Sequence, residues 1–458
     1  MTHVVPTGAG ARHGVLPGGG RAAVLLMLAY LLSFVDRQIL VLMIGPLQRD
    51  LGIDDVEFGL LHGTSFALFY TIVGLFVGGL IDRYHRVRII AWAIVVWSAA
   101  TALCGIARGY AQLFAARVMV GVGEAALSPG AYSLLSDLYE PRRRTVAFAI
   151  YATGIYLGSG LAFIVGGRLI GYLETVPPVA LPLLGEMQSW RLTFLIVALP
   201  GIALALAIRW LVPEPPRGLM DKAEPAGAQD APAAGGLREF AGFVRQRWQP
   251  FAAHNLGFGL HMMLSYAMAT WLPAVLMRAH GWGVADVGLV IGTQYLVVGT
   301  LGAFAGGAAA RWLRARGDAS SELTLGALSC AVLLIGVVAL VAVPTPGVAL
   351  LVSAVQIFFV AFPGSLNAAS LQIVAPPRFR GQAGALFLLV GNLLGLALGP
   401  LIVGLITEYV LGDRAMVGTS LLIVGAATMP IAIALLVWGR RFFRIEPRPP
   451  RILAEQPA

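Results

Sequence analysis

Two charges inside the first long apolar run constrain this chain more than any other feature. Residues 22–46 read AAVLLMLAYLLSFVDRQILVLMIGP, long enough to cross a bilayer as one helix, with Asp36 and Arg37 near the middle. A charge at that depth costs about 2.5 kcal/mol or more even on lenient insertion scales, so both side chains must face a protein interior or a wet cavity. Other helices have to build that cavity.

The sequence provides them. Further apolar runs lie at Phe58–Ile81, Val87–Ala107, Gln112–Leu135, Thr145–Gly167 and Leu192–Val212. After a polar interruption come Pro250–Met277, Ala285–Ala310, Leu323–Val343, Val348–Val374, Gln382–Ile406 and Ala415–Trp438. With the first run these make twelve spans, and only 12% of the 458 residues are charged, against about 25% in soluble domains. The expected fold is an all-α polytopic membrane protein. Its twelve transmembrane helices form two pseudo-symmetric six-helix bundles, 22–212 and 250–438, around a linker at 213–249. Equal halves of this kind are the mark of a duplicated transporter. The tails are 1–21, with no signal-peptide pattern, and 439–458.

Basic residues set the orientation. With both termini in the cytoplasm, the inner segments hold 24 of the 32 Lys and Arg residues, the outer loops hold 6, and Arg37 and Arg117 lie within spans. That bias places both ends inside a bacterial inner membrane. The net charge of +9 is spread between apolar runs and interleaves with no aromatic stripe, which argues against nucleic-acid binding. Cys104 and Cys330 are the only cysteines, both in apolar runs, so neither a disulfide framework nor a thiolate metal site is readable. The linker is rich in Pro, Ala and Gly, as a flexible connector would be, and ends in an amphipathic stretch, Leu237–Trp248, expected on the membrane surface.

Helix 4 carries Arg117 and Glu124 seven residues apart on one face, with Ser128 and Pro129 beyond. Glycines recur along helix 5 (Gly154, Gly158, Gly160) and helix 11 (Gly391, Gly395, Gly399), where close packing is the simplest reading. The second half offers mostly uncharged polar groups in its spans: His261, Gln294, Tyr295, Gln356, Asn367 and Asn392. The loop between helices 2 and 3, with Gly78, Asp82, Arg83, Arg86 and Arg88, suits charge pairs that open and close. The matching loop of the second half, Gly306–Arg316, has Ala310 in place of the acid.

The Gly-x3-Asp-Arg-x2-Arg-x-Arg spacing of the first loop and the Arg-x3-Gly of helix 4 resemble signatures of the major facilitator superfamily. FVDRQIL (Phe34–Leu40), WRLTFLIVALPGIALAL (Trp190–Leu206) and the stretch Pro376–Glu408 resemble its Spinster-like branch over essentially all twelve spans. The resemblance implies a secondary active transporter working by alternating access, in a bacterial homologue of carriers of sphingosine 1-phosphate and lysophospholipids.

On this reading Asp36 and Glu124 carry protons, while Arg37 and Arg117 receive an anionic head group because guanidinium binds phosphate and carboxylate bidentately. His261, Tyr295, Gln356, Asn367 and Asn392 line the substrate path, and Gly78, Asp82, Arg83 and Arg86 form the gate. The proton gradient replaces any cofactor, no metal is expected, the partners are membrane lipids, protons and an amphipathic anionic small molecule, and the chain is expected to be a monomer. A proton-coupled permease for small organic anions and a drug/proton antiporter remain alternatives. An enzyme is disfavoured, since neither a Gly-x-Ser-x-Gly elbow nor a His-x-x-Glu-His-type pattern occurs.

Overall fold

A computed structural model describes residues 14–182, 185–220, 236–343 and 345–443. Eleven helices among the described residues are long and apolar enough to span a bilayer. In chain order these are α1 (Gly19–Leu42), α2 (55–83), α3 (Arg86–Ile106), α4 (Tyr110–Leu138), α5 (Pro141–Thr175), α6 (Ser189–Leu211), α7 (Trp248–His280), α8 (Val284–Ala315) and α9 (Ser321–Ala342), then α11 (Pro377–Leu411) and α12 (Arg414–Phe442). The twelfth, α10, falls between α9 and α11 and is broken. Pro346–Ala361 stops at a turn through Phe362 and Pro363, and Gly364–Val374 resumes. Pro363 has no N–H to continue the ladder, so the expected run Val348–Val374 becomes two pieces.

The first span starts at Gly19 and ends at Leu42, where the chain turns at Met43 into a short helix, Ile44–Leu51. Asp36 therefore stands six residues from its end, off the middle of the helix. A small antiparallel hairpin, Val179–Leu181 with Gly185–Met187, joins α5 to α6 and is a local departure from the all-helical expectation. The stretch expected at the membrane surface forms a helix, Leu237–Gln246, but its apolar face turns onto the protein. Phe240 and Phe243 pack edge-on or tilted against Phe251 and Phe379, ring centres 5.2–6.3 Å apart. Aromatic rings already buried by α7 and α11 offer a drier partner than lipid headgroups. The expected flexible connector lies mostly at 221–235, outside the described residues, as do most of both tails.

The two halves meet along two seams, α2 with α11 and α5 with α8. At one end these seams close backbone to backbone. Gly63 faces the Leu396 carbonyl, Gly404 faces Asp55, and Gly167 faces Gly288, positions where any Cβ would collide. At the other end the α2–α11 seam diverges: Gly74, Gly78 and Gly79 of α2 and Gly384 of α11 have nothing among the described residues within 4 Å of where a Cβ would stand. The open end is the face that carries both termini, here the terminal face; the sealed end is the far face. Gly78, expected in the gate, therefore lies where the α2–α11 seam has parted.

Candidate functional site

Four charged side chains expected on α1 and α4 come together inside the first half. Glu124 is 1% exposed and receives Ser33 Oγ at 2.6 Å. The same oxygen, Oε2, takes Arg37 Nε at 2.8 Å and Arg37 Nη2 at 2.6 Å. Arg117, also 1% exposed, donates through Nη1 to the backbone carbonyl of Asp36 at 3.3 Å. The helix-4 pattern thus divides its work. Glu124 pairs with Arg37 of α1, and Arg117 braces the backbone one residue earlier.

Aromatic faces surround the Arg37 guanidinium. Its carbon lies 4.4 Å from the Phe66 centroid, 4.9 Å from Phe34 and 5.0 Å from Tyr70. Cation–π attraction of this kind holds a desolvated guanidinium while leaving its N–H edge free to change partner. Arg37 keeps 14% exposure, whereas Arg117 has Phe66 at 5.9 Å and is sealed. The two arginines are therefore not equivalent: Arg37 alone retains access, and Arg117 is no head-group ligand in this conformation. Polar atoms without a hydrogen-bond partner among the described residues cluster here: Asp36 Oδ1, Glu124 Oε1, Arg117 Nε and Nη2, and His62 Nδ1. So many unpaired groups in one apolar bundle mark a site that changes partner during its work.

The second-half residues fare differently. His261 is 2% exposed and bonds Ser329 at 2.9 Å. Gln356 is 1% exposed and donates to the Leu333 carbonyl at 2.9 Å. Both bonds tie neighbouring helices of the second half together, while the Gln356 side-chain oxygen has no partner among the described residues. Tyr295 stacks on Phe163 across the α5–α8 seam, centroids 5.6 Å apart. Gln294 bonds the Leu350 carbonyl at 3.2 Å. Asn367 contributes its backbone carbonyl to His254 at 3.0 Å. Of these residues Asn392 is the one that hydrogen-bonds to the other half among the described residues, donating to Thr71 Oγ1 at 3.1 Å.

The loop expected to gate works through one residue. Asp82, Arg83 and Arg88 are exposed, and none forms an ion pair among the described residues. Arg86 is fully buried, paired with Asp137 at the end of α4, and its Nε lies 2.7 Å from Glu214 after α6. Glu214 also accepts the Val87 N–H at 2.8 Å. The acid partners thus come from other helix ends and not from Asp82, whose side chain is exposed. Replacing Arg86 with Ala takes the guanidinium from both Asp137 and Glu214, leaving Glu214 only His85, at 3.1 Å, as an ion-pair partner among the described residues, a loss of about 3–5 kcal/mol. We expect a marked fall in the detergent-solubilised melting temperature of R86A and none for D82A, measured by intrinsic fluorescence.

On the far face, sequence reading missed a second constellation. Arg278, at the end of α7, grips Asp55 at the start of α2 with two bonds of 2.7 and 2.8 Å. Gln48 completes it, donating to Asp55 at 2.7 Å and accepting from Arg278 at 3.1 Å. This bidentate pair joins the two halves directly over the sealed end.

A bundle of twelve spans, sealed on one face and open on the other around a buried charge cluster, is a transporter architecture, and the comparisons bear on whose. The sequence profile of the Major Facilitator Superfamily matches residues 26–400. The chain belongs to the major facilitator superfamily. An MFS-type efflux pump of Mycolicibacterium smegmatis is 27% identical over 437 residues, covering 94% of this chain and 95% of the pump. The sphingosine-1-phosphate transporter SPNS2 of Mus musculus is 28% identical over 406 residues, 85% of this chain and 70% of that one. Among solved structures, a bacterial homologue of the human lysosomal transporter Spinster, in an inward-facing and unoccupied conformation, superposes with a TM-score of 0.75. It is 24% identical and covers 94% of this chain and 99% of its own. Spinster-type proteins thus stand among the relatives of this superfamily transporter.

Proposed function

We propose that the chain is a proton-coupled secondary transporter of an amphipathic, anionic, lipid-like molecule, a monomer whose halves 22–212 and 250–438 rock about the linker. The terminal face is the cytoplasmic one, given that the inner segments hold four times the basic residues of the outer loops. A bacterial inner membrane then puts the open end toward the cytoplasm.

One observation carries the reading. The only guanidinium of the cluster with access, Arg37, is held by a buried carboxylate whose second oxygen has no partner. While Glu124 is ionised it occupies Arg37. A proton on Glu124 removes that charge and frees the N–H edge of Arg37 for the anionic group of a substrate, which it binds bidentately. A substrate anion at Arg37 in turn makes protonation of Glu124 more favourable, and by linkage each event promotes the other. Asp36, whose Oδ1 is likewise unpaired, is the second carrier.

A second reading, a small organic anion, is favoured by the walls. Tyr30, Tyr70 and Tyr266 lie around Arg37, a more polar collar than an acyl chain needs. Liposomes holding the purified chain and a pH dye separate the two. Proton movement is expected on adding lysophosphatidic acid or sphingosine 1-phosphate. Movement with hexuronate or benzoate but not with the lipids would establish the second reading, and anion flux with no proton movement would end the coupled mechanism.

A further inference from the structure

Among the buried titratable groups that the mechanism so far leaves unused is His62 on α2. It lies on a wider, π-helical turn, Leu60–Thr64, flanked by regular helix. Such turns are tolerated where they serve a function, because they sacrifice ladder geometry. The residues beside it build the α2–α11 seam: Gly63 meets the Leu396 carbonyl, and Thr64 Oγ1 donates to the Ala397 carbonyl at 3.1 Å.

His62 also occupies a particular height. Asp55, Phe58, His62, Phe66 and Tyr70 recur at helical spacing down one side of α2. Asp55 belongs to the far-face pair with Arg278. Phe58 lies under it, edge-on to Trp271 of α7 at 5.7 Å. Trp271 is anchored to its own half through Nε1 and the Pro400 carbonyl at 3.0 Å. The His62 ring is parallel to Phe58 at 6.4 Å, and Phe66 and Tyr70 beneath carry Arg37 on their faces. From rim to cluster the order is ion pair, aromatic plug, imidazole, charge cluster.

The imidazole is 6% exposed and its Nδ1 has no partner among the described residues. Among the described residues the charged groups acting on it are Arg117 of α4 and Arg37 of α1, and none comes from α7 or α11. By contrast, His254 and His261, the other buried histidines of the spans, have hydrogen bonds at both ring nitrogens.

We infer that His62 is the far-side proton port, passing protons between water on the far face and the Asp36–Glu124 cluster when the α2–α11 seam opens. The inference rests on the proton-coupled reading and adds the route. Opening separates Asp55 from Arg278 and draws Trp271 away with its half, so water reaches His62 before it reaches either acid. One ring nitrogen then takes a proton from water while the other yields its own toward a carboxylate. The ring is left as the opposite tautomer, with one proton moved.

A port alters rates and leaves equilibria in place, and that distinguishes it from a packing residue. Exposed Tyr172 of α5 and Val410 of α11 lie at the far ends of opposite halves, and Cys104 and Cys330 are buried. A donor and acceptor dye on Tyr172→Cys and Val410→Cys in nanodiscs therefore report far-face opening after a pH jump from about 8 to about 5. For His62→Gln the rate is expected to fall about tenfold or more with unchanged end points. For His62→Ala, free imidazole in the buffer is expected to restore the rate. Parent-like rates in both variants, or shifted end points at unaltered rates, would overturn the port. A parent that ignores the pH jump, as Glu124→Gln should, would instead remove the proton-coupled reading beneath it.

Discussion

Glu124→Gln is expected to abolish uphill, pH-driven transport, by about a hundredfold or more, while substrate exchange across a membrane without a gradient persists. The size follows from its role as the proton's residence, since removing a positioned acid or base typically sacrifices two to four orders of magnitude. The survival of exchange follows from geometry. Gln is nearly isosteric with a protonated Glu: its amide oxygen can still accept from Ser33, but it places no negative charge against Arg37. The variant therefore mimics the state in which Arg37 is free for the substrate, and affinity for the anion should rise or hold. Counterflow of a radiolabelled lysolipid, beside acidification of the liposome lumen, measures both. Loss of exchange together with uphill transport would mean that Glu124 simply holds α4 to α1. Retention of uphill transport would take the proton from Glu124 and leave it to Asp36.

The same cluster shows what a sequence can and cannot reveal about such a protein. Twelve spans were legible because hydrocarbon thickness imposes a minimum apolar length, and the membrane cost of Asp36 and Arg37 made their importance legible too. Which group meets which was not. Arg86 finds Asp137 and Glu214, 51 and 128 positions away, rather than Asp82 on its own loop. Arg278 read as one more outer-loop charge, yet it closes the far face on Asp55, 223 positions away. Pairings at such separations are decided by how helices pack, which apolar periodicity does not encode. Histidines make the point most directly. His62, His254 and His261 all interrupt apolar runs alike, and His261 looked like a substrate ligand. Only the third dimension shows that His261 is bonded into its own half while His62 keeps a ring nitrogen with no hydrogen-bond partner among the described residues. The break in α10 was invisible for a related reason, since hydropathy counts Pro363 as a neutral residue and not as a missing donor.

Arg278→Ala should move the resting equilibrium toward the far-side-open state. Asp55 is completely buried and Arg278 only 17% exposed, so removing the arginine strands a carboxylate in the sealed conformation. A stranded buried charge costs about 3–5 kcal/mol, and Gln48, which still donates to Asp55, offsets part of it. A remaining penalty of about 2 kcal/mol on the sealed state shifts the two populations about thirtyfold, since about 1.4 kcal/mol is tenfold. The open state bears no such penalty, because there the carboxylate is hydrated. Phe58→Cys reports the shift: Phe58 is fully buried beneath the pair, and a thiol in its place meets far-side water only when the seam parts. With the arginine removed, a membrane-impermeant maleimide should label it at least about ten times faster from the far face. Arg278→Lys should fall between, as one ammonium cannot reproduce the two-bond grip. Unchanged labelling would mean that the glycine-lined backbone contacts of Gly63 and Gly404, and not the ion pair, hold the far face shut. Because Asp55 and His62 lie two turns apart on one side of α2, faster opening in this variant should also bring the proton port into contact with water more often. Breaking the pair and removing the histidine should then be non-additive in the rate of the pH response.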